Sequence, residues 1–220
     1  MKTLVYCGIH NCNTIMQLVD KFDVIFGFDA NPKKIKAAAK ILPPKVKKVF
    51  GALCEQDTGH IEFNIMKKWD ASSSIGTFNP DFHHMRDPKS VLYGTEVKKI
   101  RVPCINLSNY LSRRNITKID LLVTDLQGMD LTVLKTMEQW IREKRIVKIQ
   151  CEAEKDDTPN IYEGVGNNKL SGFMELLSEN YDLIEYKTVN GWWEGDGVWR
   201  LKGVDEPVEI EEPEFIPNPE

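Results

Sequence analysis

The stretch IDLLVTDLQGMDLTVLKTMEQW, residues 119–140, leaves this chain few folds to choose from. Its first half is an apolar run of strand length that ends in Asp125. Its second half repeats Leu131, Leu134, Met137 and Ile141 at helical spacing. Gln127 and Gly128 form a tight turn between the two. A buried strand that ends in an acid and passes at once into a helix is how α/β sheets present groups to ligands. Ligands in such sheets bind beyond the carboxyl ends of the strands, so Asp125 and Asp130 are predicted to project toward a site. The alternative is that Asp125 only ends the strand or caps the helix.

The same alternation runs through the rest of the chain. Residues 3–7 are a short apolar strand broken by Gly8. Asn13 or Thr14 caps a helix whose stripe is Ile15, Leu18, Val19 and Phe22. Residues 24–28 form a second strand, ended by Asp29. Asn31 caps the next helix, with Pro32 at its first position and Ile35, Ala38, Ala39 and Leu42 toward the core. Residues 46–53 are the third strand. This βαβαβ order is the first half of a doubly wound α/β fold.

Beyond it, residues 59–66 alternate like an outer strand, and residues 70–96 are a long polar loop. A loop of that length in a compact domain points to a lid or binding segment. Residues 97–102 are predicted as a strand and 107–113 as a short helix. Residues 146–151 are a further strand, ending in Glu152 and Glu154. Ser171 is expected to cap a helix carrying Phe173, Leu176 and Leu177, and residues 181–186 and 197–201 form a terminal antiparallel pair. Residues 1–202 thus make one domain. Residues 203–220, with four prolines and seven acids, make an acidic Pro-rich tail.

Composition narrows the function. With 41% hydrophobic and 28% charged residues the chain is an ordinary globular protein. Its charge of −4 and pI near 5.7 offer no electrostatic reason to expect a nucleic-acid partner. No apolar run approaches membrane-spanning length, and the first residues lack the apolar core of a signal peptide. The five cysteines, at 7, 12, 54, 104 and 151, contain no CxxC pair. They read as reduced thiols of a cytoplasmic protein. The pattern leaves the oligomeric state open.

The segment VTDLQGMDLTVLKT resembles the KID-x-EG-x-E-x-x-VLKG signature of FkbM-type S-adenosylmethionine-dependent methyltransferases, with departures at Thr124, Gln127 and Asp130. The preceding PCINLSNYLSRRNITKIDLL is similar to that family's lead-in. The resemblance implies a class I, Rossmann-like methyltransferase domain. Its sheet would be mainly parallel and seven-stranded, in the order 3-2-1-4-5-7-6, with a C-terminal antiparallel hairpin. S-adenosyl-L-methionine is the implied cofactor, and a hydroxyl of a sugar or glycan, deoxyhexoses included, the implied acceptor.

VYCGIHNCNT lines up with the family's DIGANIGNYT, with Tyr6 where an acid is common and Cys12 where a second glycine is common. The resemblance places the methionine end of the cofactor at Gly8, Ile9, His10 and Asn11. Gly8 alone is also what a simple turn requires. Asp29, with Ala30 after it, lies 21 residues beyond Gly8, near the interval at which an acid after the second strand meets ribose. Ala52 and Leu53 match the segment where adenine should lie. Ser74, in a serine run, either meets the cofactor or belongs to a solvated loop.

Methyl transfer to a hydroxyl needs a group that takes its proton, or a metal that acidifies it. The candidates are Asp125, Glu152 and the loop histidines His83 and His84. Asp125 and Glu152 fall on neighbouring strands of the implied sheet. They would either share a divalent ion such as Mg²⁺ through oxygen ligands or stand one layer behind the chemistry. Trp192 and Trp193, between glycines, either wall a sugar ring or close a satellite cluster. Asp130, Arg86 and Tyr93 complete the candidate acceptor contacts. Two other classes fit less well: a non-catalytic binding or assembly module on the same fold, favoured by Tyr6, Cys12 and Thr124, and a nicotinamide-dependent oxidoreductase, disfavoured by the absence of GxGxxG.

Overall fold

Strand β1, Thr3–Cys7, is buried at every position, so both of its faces must be covered. The computed structural model, which describes residues 1–67, 70–79, 96–188 and 193–204, shows how. β1 pairs in parallel with β2 (Val24–Asp29) on one side and with β8 (Ile119–Thr124) on the other. Val5 and Cys7 point into one core with Phe26, Phe28 and Leu122. Leu4 and Tyr6 point into a second core with Ile25, Leu121 and Val123. This period-2 division is why the strands read as continuous apolar runs.

The central sheet has seven strands, in the order β11-β12-β9-β8-β1-β2-β3. Here β3 is Val46–Phe50, β9 is Ile146–Glu154, β11 is Tyr181–Thr188 and β12 is Glu194–Leu201. β12 is antiparallel to both β9 and β11, and the other neighbours are parallel. This is the implied Rossmann-like methyltransferase order. Helices α1 (Asn13–Leu18) and α2 (Pro32–Ile41) cover one face through Ile15, Leu18 and Ala38. Helices α3 (Leu107–Ser112), α4 (Asp130–Thr136), α5 (Glu138–Arg142) and α6 (Leu170–Leu177) cover the other, through Leu111, Leu134, Trp140 and Phe173 among others. No described helix is long and apolar enough to cross a membrane.

Several local expectations are corrected. The third strand does not run through residue 53: it leaves the large sheet at Gly51. A side chain at Gly51 would meet Ile105 Cδ1 at 2.6 Å and the Pro103 carbonyl at 3.0 Å. The chain then forms β4 (Ala52–Leu53), which pairs with β7 (Val97–Ile105), itself antiparallel to β5 (His60–Met66). This smaller sheet has its own core of Ala52, Cys54, Phe63 and Val102. Ala39 faces solvent, because α2 turns only a narrow stripe inward. The N-cap position of α1 is Cys12, not Asn13 or Thr14, and that of α6 is Lys169, not Ser171. Asn31 caps α2 as expected, accepting a bond from the Lys33 amide. Two short strands complete the described elements, β6 (Thr77–Phe78) and β10 (Tyr162–Glu163), paired with each other. All five cysteines are free thiols.

Gly8 has a structural reason beyond the turn it makes. Its φ is +97°, and a Cβ there would stand 2.2 Å from the backbone carbonyl oxygen of Asp125. The ends of β1 and β8 can approach this closely only because residue 8 has no side chain. Gly8→Ala is expected to destabilise the fold by about 3 kcal/mol, from left-handed strain plus displacement of the Asp125 backbone. A thermal melt unchanged from wild type would contradict this.

Candidate active site

The sheet order puts three chain ends side by side. β1 lies between β2 and β8, so the turn after Gly8 is flanked by Asp29 at the end of β2 and Asp125 just past β8. Asp125 N–H donates to the Cys7 carbonyl (3.0 Å), and Gly8 N–H to that of Phe28 (2.9 Å), which fastens all three ends together.

The strand-1 turn keeps a glycine-turn shape with few glycines. His10 (φ +46°) and Cys12 (φ +68°) both adopt left-handed backbone. Asp29 helps hold this shape. Its Oδ2 accepts from the His10 N–H (3.0 Å) and its Oδ1 from the Asn31 N–H (2.7 Å). Each oxygen retains a further lone pair for a ligand hydroxyl. Burial raises the Asp29 carboxyl above its usual range, against the opposing pull of those two N–H bonds and of His10 and Lys34. Ile9 is buried and Asn11 exposed, the latter turned back onto the Asn13 N–H. Ala30, Ala52 and Leu53 are buried apolar groups. Beside β4 a cavity of about 250 Å³ is lined by Cys54, Glu55 and Gln56 on one wall and Met129, Thr132 and Val165 on another.

A strap spans the turn ends. Asp70 accepts from His10 Nε2 (3.1 Å) and pairs with Lys34 (2.7 Å). Burial works to raise the Asp70 carboxyl, but the bonds from Lys34 and His10 prevail and hold it below the usual range. Four residues on, Ser74 is buried and donates to the Gln127 carbonyl (2.7 Å), while its oxygen accepts from the Gly76 N–H. The Ser74 hydroxyl is thus engaged in joining the strap to the turn that follows β8.

That turn carries the densest chemistry. Gln127 and Gly128 are both left-handed, at φ +52° and +93°. The Gln127 Nε2 donates to Asp125 Oδ1 (2.6 Å) and to Glu152 Oε2 (3.2 Å), and its Oε1 accepts from the Tyr162 hydroxyl (2.5 Å). The Asp125 side chain opens to the crevice, but protein surrounds its other sides. This crowding raises its carboxyl, while the Gln127 amide and His10 pull it back. Glu152 is held well above the ordinary carboxylate range, by burial first and then by Glu194, Asp125, Asp130 and Asp196.

Asp130 does not project into the crevice. It is fully buried, and both of its oxygens receive the Leu126 N–H (3.1 and 3.2 Å). Burial and the nearby Asp125 push its carboxyl up to about 7. Its position corrects the expected acceptor contact: it braces the turn from beneath. A divalent ion shared by Asp125 and Glu152 would have to compete with Gln127. The space between Asp125 and Glu152 is taken by the two N–H bonds of Gln127, which a cation would have to displace. Among the described residues no group of three or more His, Cys, Asp or Glu is arranged to hold an ion.

Trp193 is half-buried in a satellite cluster with Tyr162, Phe78, Ile161 and Val165, in which Phe78 stacks on Tyr162 at 4.9 Å. His83, His84, Arg86, Tyr93 and Trp192 lie outside the described residues. The sequence reasoning missed Tyr162, Asp70 and Lys34, which reach the site only through the fold. Gln127 was visible in advance as a departure from the signature.

The sequence matches the family model described as the Methyltransferase FkbM domain over residues 8–182. No curated protein matches the chain. Among solved structures it is similar to a complex between the Haloferax volcanii Trm112 methyltransferase activator and the putative methyltransferase (TM-score 0.48, 9% identity, covering 91% of this chain and 82% of that one). It is also similar to the N-terminal domain of EvdMO1 with SAH bound (0.46, 8%, 92% and 75%). A third is a TehB-like SAM-dependent methyltransferase from Corynebacterium glutamicum (0.43, 11%, 91% and 80%).

Proposed function

The chain belongs to the FkbM methyltransferase family, and from that premise we propose that it is an S-adenosylmethionine-dependent O-methyltransferase acting on a hydroxyl of a sugar or glycan. The observation that carries the reading is the placement of Asp29 and Asp125 on either side of the Gly8 turn, at the carboxyl edge of the sheet.

The residues fit the cofactor. The spare acceptor capacity of Asp29 suits the paired hydroxyls of ribose, and Ala30, Ala52 and Leu53 suit the adenine. The turn at Gly8–Asn11 suits the methionine end, with Lys34 as a nearby cation. When bound, the cofactor supplies a methyl on a positive sulfur, which needs only an in-line oxygen lone pair and keeps its bonding electrons on sulfur as the methyl leaves.

The protein's own task is to aim the acceptor and take its proton. Asp125 Oδ1 is held by Gln127. Asp125 is exposed and no donor to its Oδ2 is found among the described residues, so that oxygen is the one we assign to receive the hydroxyl proton. Glu152, held well above the ordinary carboxylate range by burial and its acidic neighbours, is the group assigned to hydrogen-bond the acceptor. The partly buried Trp193 and Phe78 offer an apolar surface to the C–H face of a sugar ring. Asp130 and Ser74 act by holding the turn and the strap.

Calorimetric titration with S-adenosylhomocysteine tests the cofactor half. Wild type is expected to bind in the micromolar range. Asp29→Ala should bind about 100-fold more weakly, because two hydrogen bonds to a charged group are lost. Equal binding by the variant would remove Asp29 from the site. No binding by wild type would turn the reading to a non-catalytic binding module. A labelled-methyl screen over sugar hydroxyls then tests the acceptor half.

A further inference from the structure

Among the described residues the Gln127 side chain hydrogen-bonds both candidate acids. Its orientation is set by chemistry. Turned the other way, its carbonyl oxygen would face a carboxylate oxygen at 2.6 Å and its amide would face a donor hydroxyl. The Tyr162 hydroxyl is a permanent donor, since burial and the nearby Glu194 and Glu152 hold its ionisation well above the usual range. With Oε1 taken by Tyr162, both N–H bonds point at acids.

The backbone fixes the side chain from the other end. Gln127 is left-handed, its carbonyl is held by Ser74, and the Leu126 amide before it is held by Asp130. Gly128 after it packs where a Cβ would stand 3.0 Å from the Tyr162 ring. A carboxamide of this reach is the only natural side chain that offers two N–H groups on one side and an acceptor on the other. The two bonds are unequal. Asp125 receives the short one, at 2.6 Å, and Glu152 the long one, at 3.2 Å. A donor favours the charged form of the acid it holds more closely.

We propose that Gln127 is a positioning residue that makes two neighbouring acids unlike, so that Asp125 is the proton acceptor of methyl transfer and Glu152 the hydrogen-bond donor. The proposal rests on the methyl-transfer reading for its chemistry but not for its geometry. In the step it serves, the acceptor O–H breaks, the proton goes to Asp125 Oδ2, and the oxygen pair forms the new bond to carbon. Glu152 keeps its proton throughout. The groups facing this pair are Asp130 from the same turn, Asp196 and Glu194 from β12, Tyr162 from β10 and His10 from the strand-1 turn. All but His10 and the neutral Tyr162 are acids; His10 favours the charged form of Asp125, Glu194 and Asp196 disfavour that of Glu152, and the short Gln127 bond widens this difference.

The test needs no acceptor. Side-chain carboxyl ¹³C shifts of the full-length protein are followed against pH, with Asp125 and Glu152 assigned through Asp125→Asn and Glu152→Gln. In wild type Asp125 is expected to ionise at least one pH unit, a tenfold difference in proton affinity, before Glu152. Gln127→Leu should raise the Asp125 midpoint by a similar amount. Gln127→Glu, which keeps size and shape, should raise it once the new carboxyl is ionised, since a carboxylate there accepts where the amide donated. Should the leucine variant fail to fold, the glutamate variant carries the test. Glu152 ionising first in wild type, or an Asp125 midpoint unmoved in the folded variants, overturns the proposal. Titration with S-adenosylhomocysteine separates the two ideas. Split ionisation without binding ends the methyl-transfer reading alone, and binding without split ionisation ends the role of Gln127 alone.

Discussion

Asp125→Asn is expected to lower kcat by about 10²- to 10⁴-fold on whatever sugar hydroxyl the acceptor screen returns. The substitution keeps the shape of the side chain and its place beside Gln127, but removes the basic oxygen that faces the crevice. Affinity for S-adenosylhomocysteine should change by no more than about threefold, since the cofactor contacts assigned here lie on the β1 and β2 side of the turn. The pH profile gives a second check. The base must be ionised to act, so the rate falls as pH falls through its midpoint. Crowding raises that midpoint above the ordinary carboxylate value, so the acid limb should lie at higher pH than a solvent-exposed aspartate would give. An asparagine variant with more than about a tenth of wild-type kcat would show that another group takes the proton.

The second large effect concerns stability. Lys169 and Glu154 form an ion pair at 2.8 Å with side chains only 10% and 4% exposed. The lysine also donates to the carbonyls of Thr158 (2.7 Å) and Pro159 (3.1 Å), and Glu154 Oε1 accepts from the Ile161 N–H (3.2 Å). One ammonium thus gathers the loop that leads to Tyr162. Lys169→Met would leave a buried carboxylate without a counter-charge, which costs about 3–5 kcal/mol. For a domain of this size that lowers Tm by on the order of 10 °C. The double variant with Glu154→Gln should recover a good part of the loss, because the pair's own net worth is small once both charges are gone. A single variant that melts like wild type would show that water reaches the carboxylate.

What could be read in advance follows from distance along the chain. β1, β2 and the block from β8 to α4 declare themselves because local apolar runs, caps and turn residues agree there. Asn31 followed by Pro32 marked the start of α2 without help from the rest of the fold. The break at Gly51 was hidden, since residues 46–53 are apolar enough for one strand and the reason for the break lies in Ile105 and Pro103. The inward turn of Asp130 was hidden as well. Its spacing from Asp125 is that of two acids sharing a site, and only the Leu126 amide shows which way it points. Tyr162 carries no local signal: it is one tyrosine in a polar loop, brought to Gln127 by the pairing of β6 and β10. The placement of Gly8, Asp29 and Asp125 at one edge of the sheet was therefore legible, and the hydrogen bonds that link their neighbours were not.

The central position of β1 has a consequence for the time order of assembly. Its partner on one side, β2, follows within 30 residues, but its other partner does not exist until residue 124 has been made, and the Thr3 amide bonds Asp120, 117 residues away. At ribosomal speeds of about 5–20 residues per second, the first strand waits roughly ten seconds with one edge unpaired. During that interval β1 to β3 are a small parallel ribbon with a bare apolar side, and parallel pairing across long separations is intrinsically slow. The strand that leads into Gly8 is made well before its second neighbour and is enclosed only when that neighbour arrives, so the chain still being made is more open to aggregation and to chaperones than the finished domain.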